Sequence, residues 1–256
     1  MAEQKNTVYV ITGGNRGIGL GLVKSFLARP ATTVIASARN TEAAASLKAE
    51  DISFGAGSQL HVAILDLSSA LPPAKVLEAF EAATAGTVDH IDVLINNAGS
   101  CPPMSAATET SAEDLRGAFE TNTIAPLMVF QGLWPLLQKT QMAAPKVIMV
   151  SSTVGGIGCQ EPLPGGAYGA SKAALNWLTR AIHLQNEASG LVAVALHPGW
   201  VQTRLGDFAA KEWSYAAGPP TTLDESVEGI LKVVDGASRE TVGGKFVLYD
   251  GQIWPW

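Results

Sequence analysis

Thr12-Gly13-Gly14-Asn15-Arg16-Gly17-Ile18-Gly19 is the stretch from which the fold can be worked out. It follows the β-branched, apolar run Thr7–Ile11 and opens directly into a helical pattern over Gly17–Ala28. Glycines permit a tight turn and a close backbone approach. A helix starting at that turn offers unpaired N–H groups and the positive end of its dipole to an anion. The spacing is Gly-x-x-x-Gly-x-Gly rather than the commoner Gly-x-Gly-x-x-Gly. Its position, after the first strand and before the first helix, is the one a pyrophosphate cradle requires.

Outward from this turn the chain alternates short apolar runs with longer helical patterns. Strands are expected at Thr7–Ile11, Thr32–Ser37, Leu60–Leu65, Ile91–Ile95, Lys146–Val150, Leu191–Leu196 and Lys245–Leu248. Most of these runs are nearly continuous in apolar residues, as strands buried on both faces of a parallel sheet are. Helices are expected at Gly17–Ala28, Thr41–Ala49, Ala74–Ala85, Ala112–Gln138, Ala167–Glu187 and Asp224–Val234. The alternation predicts an α/β, doubly wound fold with helices on both faces of the sheet, and one domain over residues 1–256. Residues Arg204–Thr222, with Trp213, Tyr215, Gly218, Pro219 and Pro220, show no clean period. A loop that long is expected to serve either as a substrate lid or as a surface loop packing its own aromatics.

Composition narrows the function classes. Of the 256 residues 47% are hydrophobic and 16% charged, which argues against disorder. The net charge of −6 provides no basic footprint for nucleic acid or an anionic membrane surface. No apolar stretch is long enough to span a bilayer, and the polar start Met1–Asn6 leaves no room for a signal peptide's apolar segment. Cys101 and Cys159 cannot build a disulfide framework, so a reduced, cytoplasmic chain is expected. His61, His90, His183 and His197 are scattered without metal-ligand spacing, so no metal site is expected; His197 reads as a strand-end residue.

Two constellations carry the chemistry. The second strand ends Ala38-Arg39, where an acid would grip the ribose hydroxyls of NAD. Arg39, with Arg16 in the glycine turn, offers guanidinium groups suited to the 2′-phosphate of NADP, unless Arg39 simply faces water at the strand end. Tyr168 and Lys172 stand at i and i+4, on one face of a helix. A neighbouring cation lowers a phenol's pKa, which suits Tyr168 to general acid or base work. Ser152 ends the fifth strand, at the edge where such sheets bind ligands; Asn96-Asn97-Ala98-Gly99 ends the fourth at the same edge. Asn122, between Thr121 and Thr123, points to a buried hydrogen-bonding task or a helix kink.

Thr12-Gly13, Gly17-Ile18-Gly19, Asn96-Asn97-Ala98-Gly99, Asn122, Ser152, Tyr168, Lys172 and Pro198-Gly199 together resemble the short-chain dehydrogenase/reductase family over essentially the whole chain. The resemblance implies a seven-stranded parallel Rossmann sheet in order 3-2-1-4-5-6-7. It implies that Tyr168 donates the proton and Ser152 polarises the carbonyl. Lys172 would hold the nicotinamide ribose and lower the tyrosine pKa, and Asn122 would hold a water linking Lys172 to solvent. For NADP(H) it implies contacts from Gly13, Asn15, Arg16, Gly17, Ile18, Gly19, Arg39, Asn97, Ala98, Gly99, Pro198, Gly199 and Val201. Asp66-Leu67 would meet the adenine, and Thr203 the nicotinamide carboxamide.

His197–Thr203 and Gly244–Trp256 look like the C-factor and sniffer carbonyl reductases, and Asn15–Leu22 with Leu27–Pro30 looks like the fungal norsolorinic acid ketoreductases. A small-molecule ketone is therefore the expected substrate, with an aromatic polyketide as the narrower expectation. A general carbonyl reductase or alcohol dehydrogenase acting on small metabolites is the alternative. A cofactor-binding regulator without turnover is the alternative of another class, and it would be expected to lack the tyrosine or the lysine. Ser152 and Tyr168 lie sixteen positions apart, a gap rich in glycine and proline, so an enlarged, irregular pocket wall is expected. The apolar content of the two longest helical patterns places a homodimer or homotetramer among the expectations.

Overall fold

The computed structural model describes residues 5–256 apart from residue 70. Met1–Gln4, part of the polar opening stretch, lie outside the described residues. The strands are β1 (Thr7–Ile11), β2 (Thr32–Ala38), β3 (Gln59–Ile64), β4 (Val93–Asn96), β5 (Lys146–Val150), β6 (Val192–His197), β7 (Phe246–Leu248) and β8 (Ile253–Trp254). The helices are α1 (Gly17–Leu27), α2 (Thr41–Lys48), α3 (Pro73–Thr84), α4 (Ala112–Phe119), α5 (Ala125–Leu137), α6 (Gly166–Gln185), α7 (Arg204–Glu212) and α8 (Leu223–Gly236).

Among the described residues the strands form one sheet in the order β3-β2-β1-β4-β5-β6-β7-β8. The first seven are parallel and follow the expected order. The difference is β8, which returns antiparallel beside β7. Gly251, at φ +88°, lets the chain reverse there, and Asp250 Oδ1 accepts the Gln252 N–H to close the turn.

The continuous apolar strands are explained by two cores. Ile11, Ile95, Ile148 and Leu196 face α1 and α8, meeting Leu22, Phe26 and Ile230. The alternate residues Val10, Leu94, Val147 and Ala193 face the opposite way and meet Phe80, Leu133 and Leu175 of α3, α5 and α6. Period-2 alternation puts successive side chains on opposite faces, so a sheet covered on both sides needs apolar residues throughout.

Two expectations need correction. Ala112–Gln138 is not one regular helix: α4 and α5 are separated by a π-turn at Glu120–Ile124, where the Ala125 N–H reaches the Glu120 carbonyl. Pro126 follows and has no N–H to return to the Asn122 carbonyl four residues back, so the α-ladder cannot run through regularly. The stretch 204–222 is not irregular throughout either. Its first half is α7, capped by the Thr203 hydroxyl, which accepts the Gly206 N–H at 3.3 Å. Gly206 lies against the Val201 carbonyl, where a Cβ has no room. The irregular part is confined to residues 213–222.

The sheet order reverses between β1 and β4, and one side chain holds the two strand exits together. Thr12, 1% exposed, accepts through Oγ1 the N–H groups of both Asn97 and Ala98, each at 3.0 Å. Thr12→Val keeps the shape but leaves the Ala98 N–H unpaired and the Asn97 N–H with the Ile95 carbonyl alone. It should cost about 1–3 kcal/mol in chemical denaturation, and a loss below about 0.5 kcal/mol would contradict this account.

Candidate active site

The C-terminal edge of the sheet gathers most of the residues singled out above. After β1 the chain enters the glycine turn. Gly13 is left-handed at φ +67° and Gly17 at φ +53°, conformations in which a Cβ is strained. Ser37 on β2 pins the turn from behind: its hydroxyl accepts the Gly13 N–H at 3.1 Å and its carbonyl the Gly14 N–H at 2.9 Å. Gly19 packs so closely that a Cβ would sit 2.2 Å from the Gly13 carbonyl oxygen and 2.6 Å from Asn97 Nδ2. α1 starts at Gly17 with no side-chain cap and no acid in its first turn. Its first N–H groups therefore have neither an intrahelical partner nor a competing carboxylate.

Across the groove, a Cβ on Gly17 would lie 3.6 Å from the Thr203 methyl. The segment after β6 is fixed by the Ser226 hydroxyl donating to the Pro198 carbonyl at 2.6 Å, by Gly199 at φ +90°, and by a bridge between Val201 and Thr221. Beyond β2, Arg39 and Arg16 are exposed. Asp66 accepts the Ser68 N–H, and hydrogen bonds from Ser68, aided by the Arg39 charge, hold its carboxyl below the usual range. Leu67 is a core side chain, so only its backbone is free to face a ligand. Ile18 packs partly into the core, and Asn15 is half-buried.

The reactive cluster stands at the ends of β4 and β5. Tyr168 and Ser152 are both buried, with side chains close enough to interact. Lys172 lies with its Nζ 5.6 Å from the Tyr168 ring centroid and donates to the Val150 carbonyl at 2.8 Å. The short 3₁₀ turn Thr153–Gly155 sits on α6 so tightly that a Cβ on Gly155 would be 2.7 Å from Lys172 Cβ. Asn122, fully buried, accepts the Ser100 N–H at 2.9 Å and donates to the Ser100 carbonyl at 2.9 Å and to Ser171 Oγ at 3.0 Å. Thr123 Oγ1 adds a bond to the Ser171 carbonyl. The buried task expected of this polar trio is thus to tie the β4 exit to α6, at the helix irregularity itself. Gly99 backs onto the same group, 3.1 Å from Asn122 Oδ1 at its Cβ position.

Burial dominates the electrostatics. It raises the Tyr168 pKa, an effect increased by Cys101 and opposed by the Ser152 hydrogen bond. It lowers the Lys172 pKa to about 8. The lowering of the tyrosine pKa expected from the neighbouring cation is therefore not what this geometry produces: the ammonium is turned toward Val150. Desolvation disfavours both charged forms. Near neutral pH the site holds a protonated phenol beside a mostly protonated amine.

Over the tyrosine lies an apolar side-chain cluster that sequence patterns did not reveal. Met104 and Ala209 are buried with Tyr168, and Cys101, Val154, Trp200 and Trp213 pack around them. Trp200 meets Trp213 edge-on at 5.5 Å and Tyr215 at 5.0 Å. Two cross-ties close it: Glu212 Oε2 accepts the Met104 N–H at 2.9 Å, and Trp213 Nε1 donates to the Pro164 carbonyl at 2.8 Å. The aromatics were visible in the sequence; Cys101, Met104, Glu212 and Ser37 carried no motif. Burial pushes the Cys101 thiol up to about 12, so it is a wall and not a nucleophile.

His197, at the end of β6, accepts the Thr153 N–H through Nδ1 at 3.3 Å, directly after Ser152. Burial, opposed by Asp250, lowers its pKa to about 4.

Comparison with known proteins gives one consistent answer. A family model described as short chain dehydrogenase matches residues 7–212. A short-chain dehydrogenase of Pyricularia oryzae, RED3, is 40% identical over 98% of this chain and 99% of its own. A norsolorinic acid ketoreductase of Dothistroma septosporum is 36% identical over 99% of this chain and 94% of its own. Among solved structures, the NADPH-bound carbonyl reductase from chicken fatty liver superimposes with a TM-score of 0.79 at 30% identity, covering 99% of this chain and 100% of that one. The carbonyl reductase Sniffer of D. melanogaster superimposes at 0.80 with 28% identity and the same coverage.

The lowered His197 pKa generates a stability prediction. The folded state binds fewer protons than the unfolded state between about pH 4 and 6.5. Stability is therefore present above this window and lost as pH falls through it, by roughly 3 kcal/mol for His197 alone. His197→Asn removes that titration while retaining an acceptor. Urea melts at pH 7 and pH 4 should show a smaller acid loss in the variant; equal losses would refute the assignment.

Proposed function

The chain belongs to the short-chain dehydrogenase family, as an NADP(H)-dependent oxidoreductase acting on the C=O/CH–OH pair, and we propose that it is a ketoreductase of the sniffer and norsolorinic acid ketoreductase type, acting on an aromatic polyketide ketone in the cytoplasm. The observation that carries this reading is the juxtaposition of the buried Tyr168 and Ser152 with an apolar, aromatic-rich cluster that includes Met104, Trp200 and Trp213. Flat aromatic walls suit a flat aromatic ketone. A general carbonyl reductase of small metabolites would not need them.

The residues fit the cofactor. The left-handed Gly13 and Gly17, the missing Cβ at Gly19 and the uncapped start of α1 form a cradle for a pyrophosphate. Asn15, Arg16 and Ile18 flank it; Asn97, Ala98 and Gly99 line its floor, and Pro198, Gly199, Val201 and Thr203 its far wall. Arg39 and Arg16 are assigned to the 2′-phosphate, and Asp66 with the Leu67 backbone to the adenine. When bound, NADPH supplies the hydride.

The chain's own residues manage the oxygen and the proton. Ser152 donates to the ketone oxygen, an interaction that strengthens as negative charge develops there. Tyr168 delivers its proton to that oxygen. Its raised pKa keeps the phenol protonated, the form an acid requires. Lys172 is assigned to the nicotinamide ribose. Asn122, whose carbonyl lacks a donor from Pro126, is assigned the water that returns a proton to this pair. Residues 204–222 act as the lid, excluding water through the Glu212 and Trp213 ties.

Tyr168→Phe removes one hydroxyl. Its kcat should fall at least about 10²-fold with NADPH affinity nearly unchanged; a near wild-type rate would send the search to another acid. Arg39→Ala should weaken NADPH binding roughly 10- to 150-fold and leave NADH binding unaltered, and equal losses for both would remove the 2′-phosphate assignment. Self-association as a homodimer or homotetramer belongs to the same proposal. It rests on Trp177 and Leu184, exposed two turns apart on α6, and light scattering at micromolar concentration that gives one subunit's mass would exclude it.

A further inference from the structure

We propose that residues 254–256 are a brace for the active-site wall: Trp254 and Trp256 hold the Ser152–Tyr168 loop in place and thereby fix the surface that the loop presents to a ketone beside Tyr168. The inference rests on the proposed reading of the Tyr168 cluster as the substrate site. The loop begins at Ser152, contributes Val154 to the cluster and ends at Tyr168. Its middle is rich in glycine and proline and mostly exposed, with Ile157 at 76%. Nothing in its own composition keeps it in one conformation.

Among the described residues, segment 157–164 exchanges hydrogen bonds with the rest of the fold at two places. One is the Trp213 bond to the Pro164 carbonyl, on the lid side. The other is the strand-end segment brought back by β8. The Gly158 N–H donates to the Trp256 carbonyl at 2.6 Å. Trp254 Nε1 donates to Cys159 Sγ at 3.0 Å, and that thiol in turn faces the Pro255 carbonyl at 3.7 Å. Gly156 lies so near the same sulfur that a Cβ would be 2.5 Å from it.

The brace is itself anchored to the scaffold. The Trp256 ring stacks with Phe246 of β7 at 6.0 Å, and the Arg180 guanidinium stands 5.8 Å from its centroid. Arg180 is on α6, the helix of Tyr168 and Lys172, and also donates to the Gly244 carbonyl at 3.2 Å. The wall is thus gripped on one side by the lid and on the other by a segment bolted to β7 and the catalytic helix. This explains why a long, glycine-rich loop can serve as a pocket wall, and what the antiparallel β8 is for. Trp254, Trp256 and Cys159 are positioning residues: they touch neither the tyrosine nor the cofactor groove.

The test compares wild type with Trp256→Ala, Trp254→Phe and Cys159→Ala. Amide exchange across residues 157–164, NADPH affinity, and kcat and KM for an aromatic and a short aliphatic ketone are measured for each. In Trp256→Ala, exchange in the loop should speed up roughly tenfold or more while α6 stays protected, and KM for the aromatic ketone should rise roughly five- to tenfold. NADPH affinity and kcat on the aliphatic ketone should stay within about twofold of wild type, as loss of a wall and not of the chemistry requires. Trp254→Phe and Cys159→Ala should move exchange and KM in the same direction by smaller factors. Unchanged loop exchange in the folded variants overturns the brace, and so does a KM effect of equal size on both ketones. Should Trp256→Ala not fold, the two milder variants decide by the same criterion. Loop exchange is read without turnover, so an enzyme that reduces neither ketone would contradict the proposed function while leaving the brace to be judged on exchange alone.

Discussion

Where neighbouring parallel strands send their connections to opposite faces of the sheet a crevice opens between their exits, and in this chain the Thr12 hydroxyl ties the two sides of it together. The sheet order turns back on itself between β1 and β4. Thr12 accepts two N–H groups from the β4 exit, and Asn97 Nδ2 returns to the Thr12 carbonyl at 2.9 Å. Ser37 takes up the N–H groups of Gly13 and Gly14 from the other side. The inward-facing polar groups of the turn are thus satisfied by the scaffold. The later ones, at the start of α1, face the crevice. A ligand with negative charge is what such a surplus of donors accommodates.

The same edge carries the reactive groups, and their behaviour follows from burial. Desolvation acts on Tyr168 and Lys172 together and disfavours both charges. A cofactor and substrate filling the cleft would enlarge the fields acting on the pair, since fewer water dipoles screen them. The hydrogen-bond framework around Asn122 and Ser171 keeps the two side chains from relaxing toward solvent. Its members are backbone, amide and hydroxyl groups that do not titrate near neutral pH, so the scaffold holds its form across that range.

The framework of the fold could be read from the sequence because it depends on local pattern. Apolar runs such as Lys146–Val150 coincide with their strands, and the glycine turn predicted the β1–α1 junction. Tyr168, Lys172, Ser152 and Asn122 all lie at the C-terminal edge of the sheet. The misses have physical causes. The π-turn within 112–138 arises from one proline acting against an otherwise helical pattern. α7 was hidden because its nine residues run straight into the irregular, glycine- and proline-rich stretch 213–222, and its cap, Thr203, carries a second expected task. β8 is two residues long and is held by a turn, below the length at which alternation is detectable. The cluster over Tyr168 draws on Cys101, Met104, Val154, Trp200 and Trp213, which are distant in sequence and meet only once the sheet has brought their loops to one edge.

The central claim is that this cleft passes hydride from NADPH to a ketone while the chain supplies the proton. It is tested most directly with NADPH carrying deuterium at both C4 positions and an aromatic ketone in ordinary water, followed by mass and NMR analysis of the alcohol. The account predicts one deuterium on the new carbinol carbon for each NADPH oxidised, with the hydroxyl hydrogen drawn from water. A carbinol carbon carrying hydrogen from solvent, or ketone consumed without matching NADPH oxidation, would contradict it.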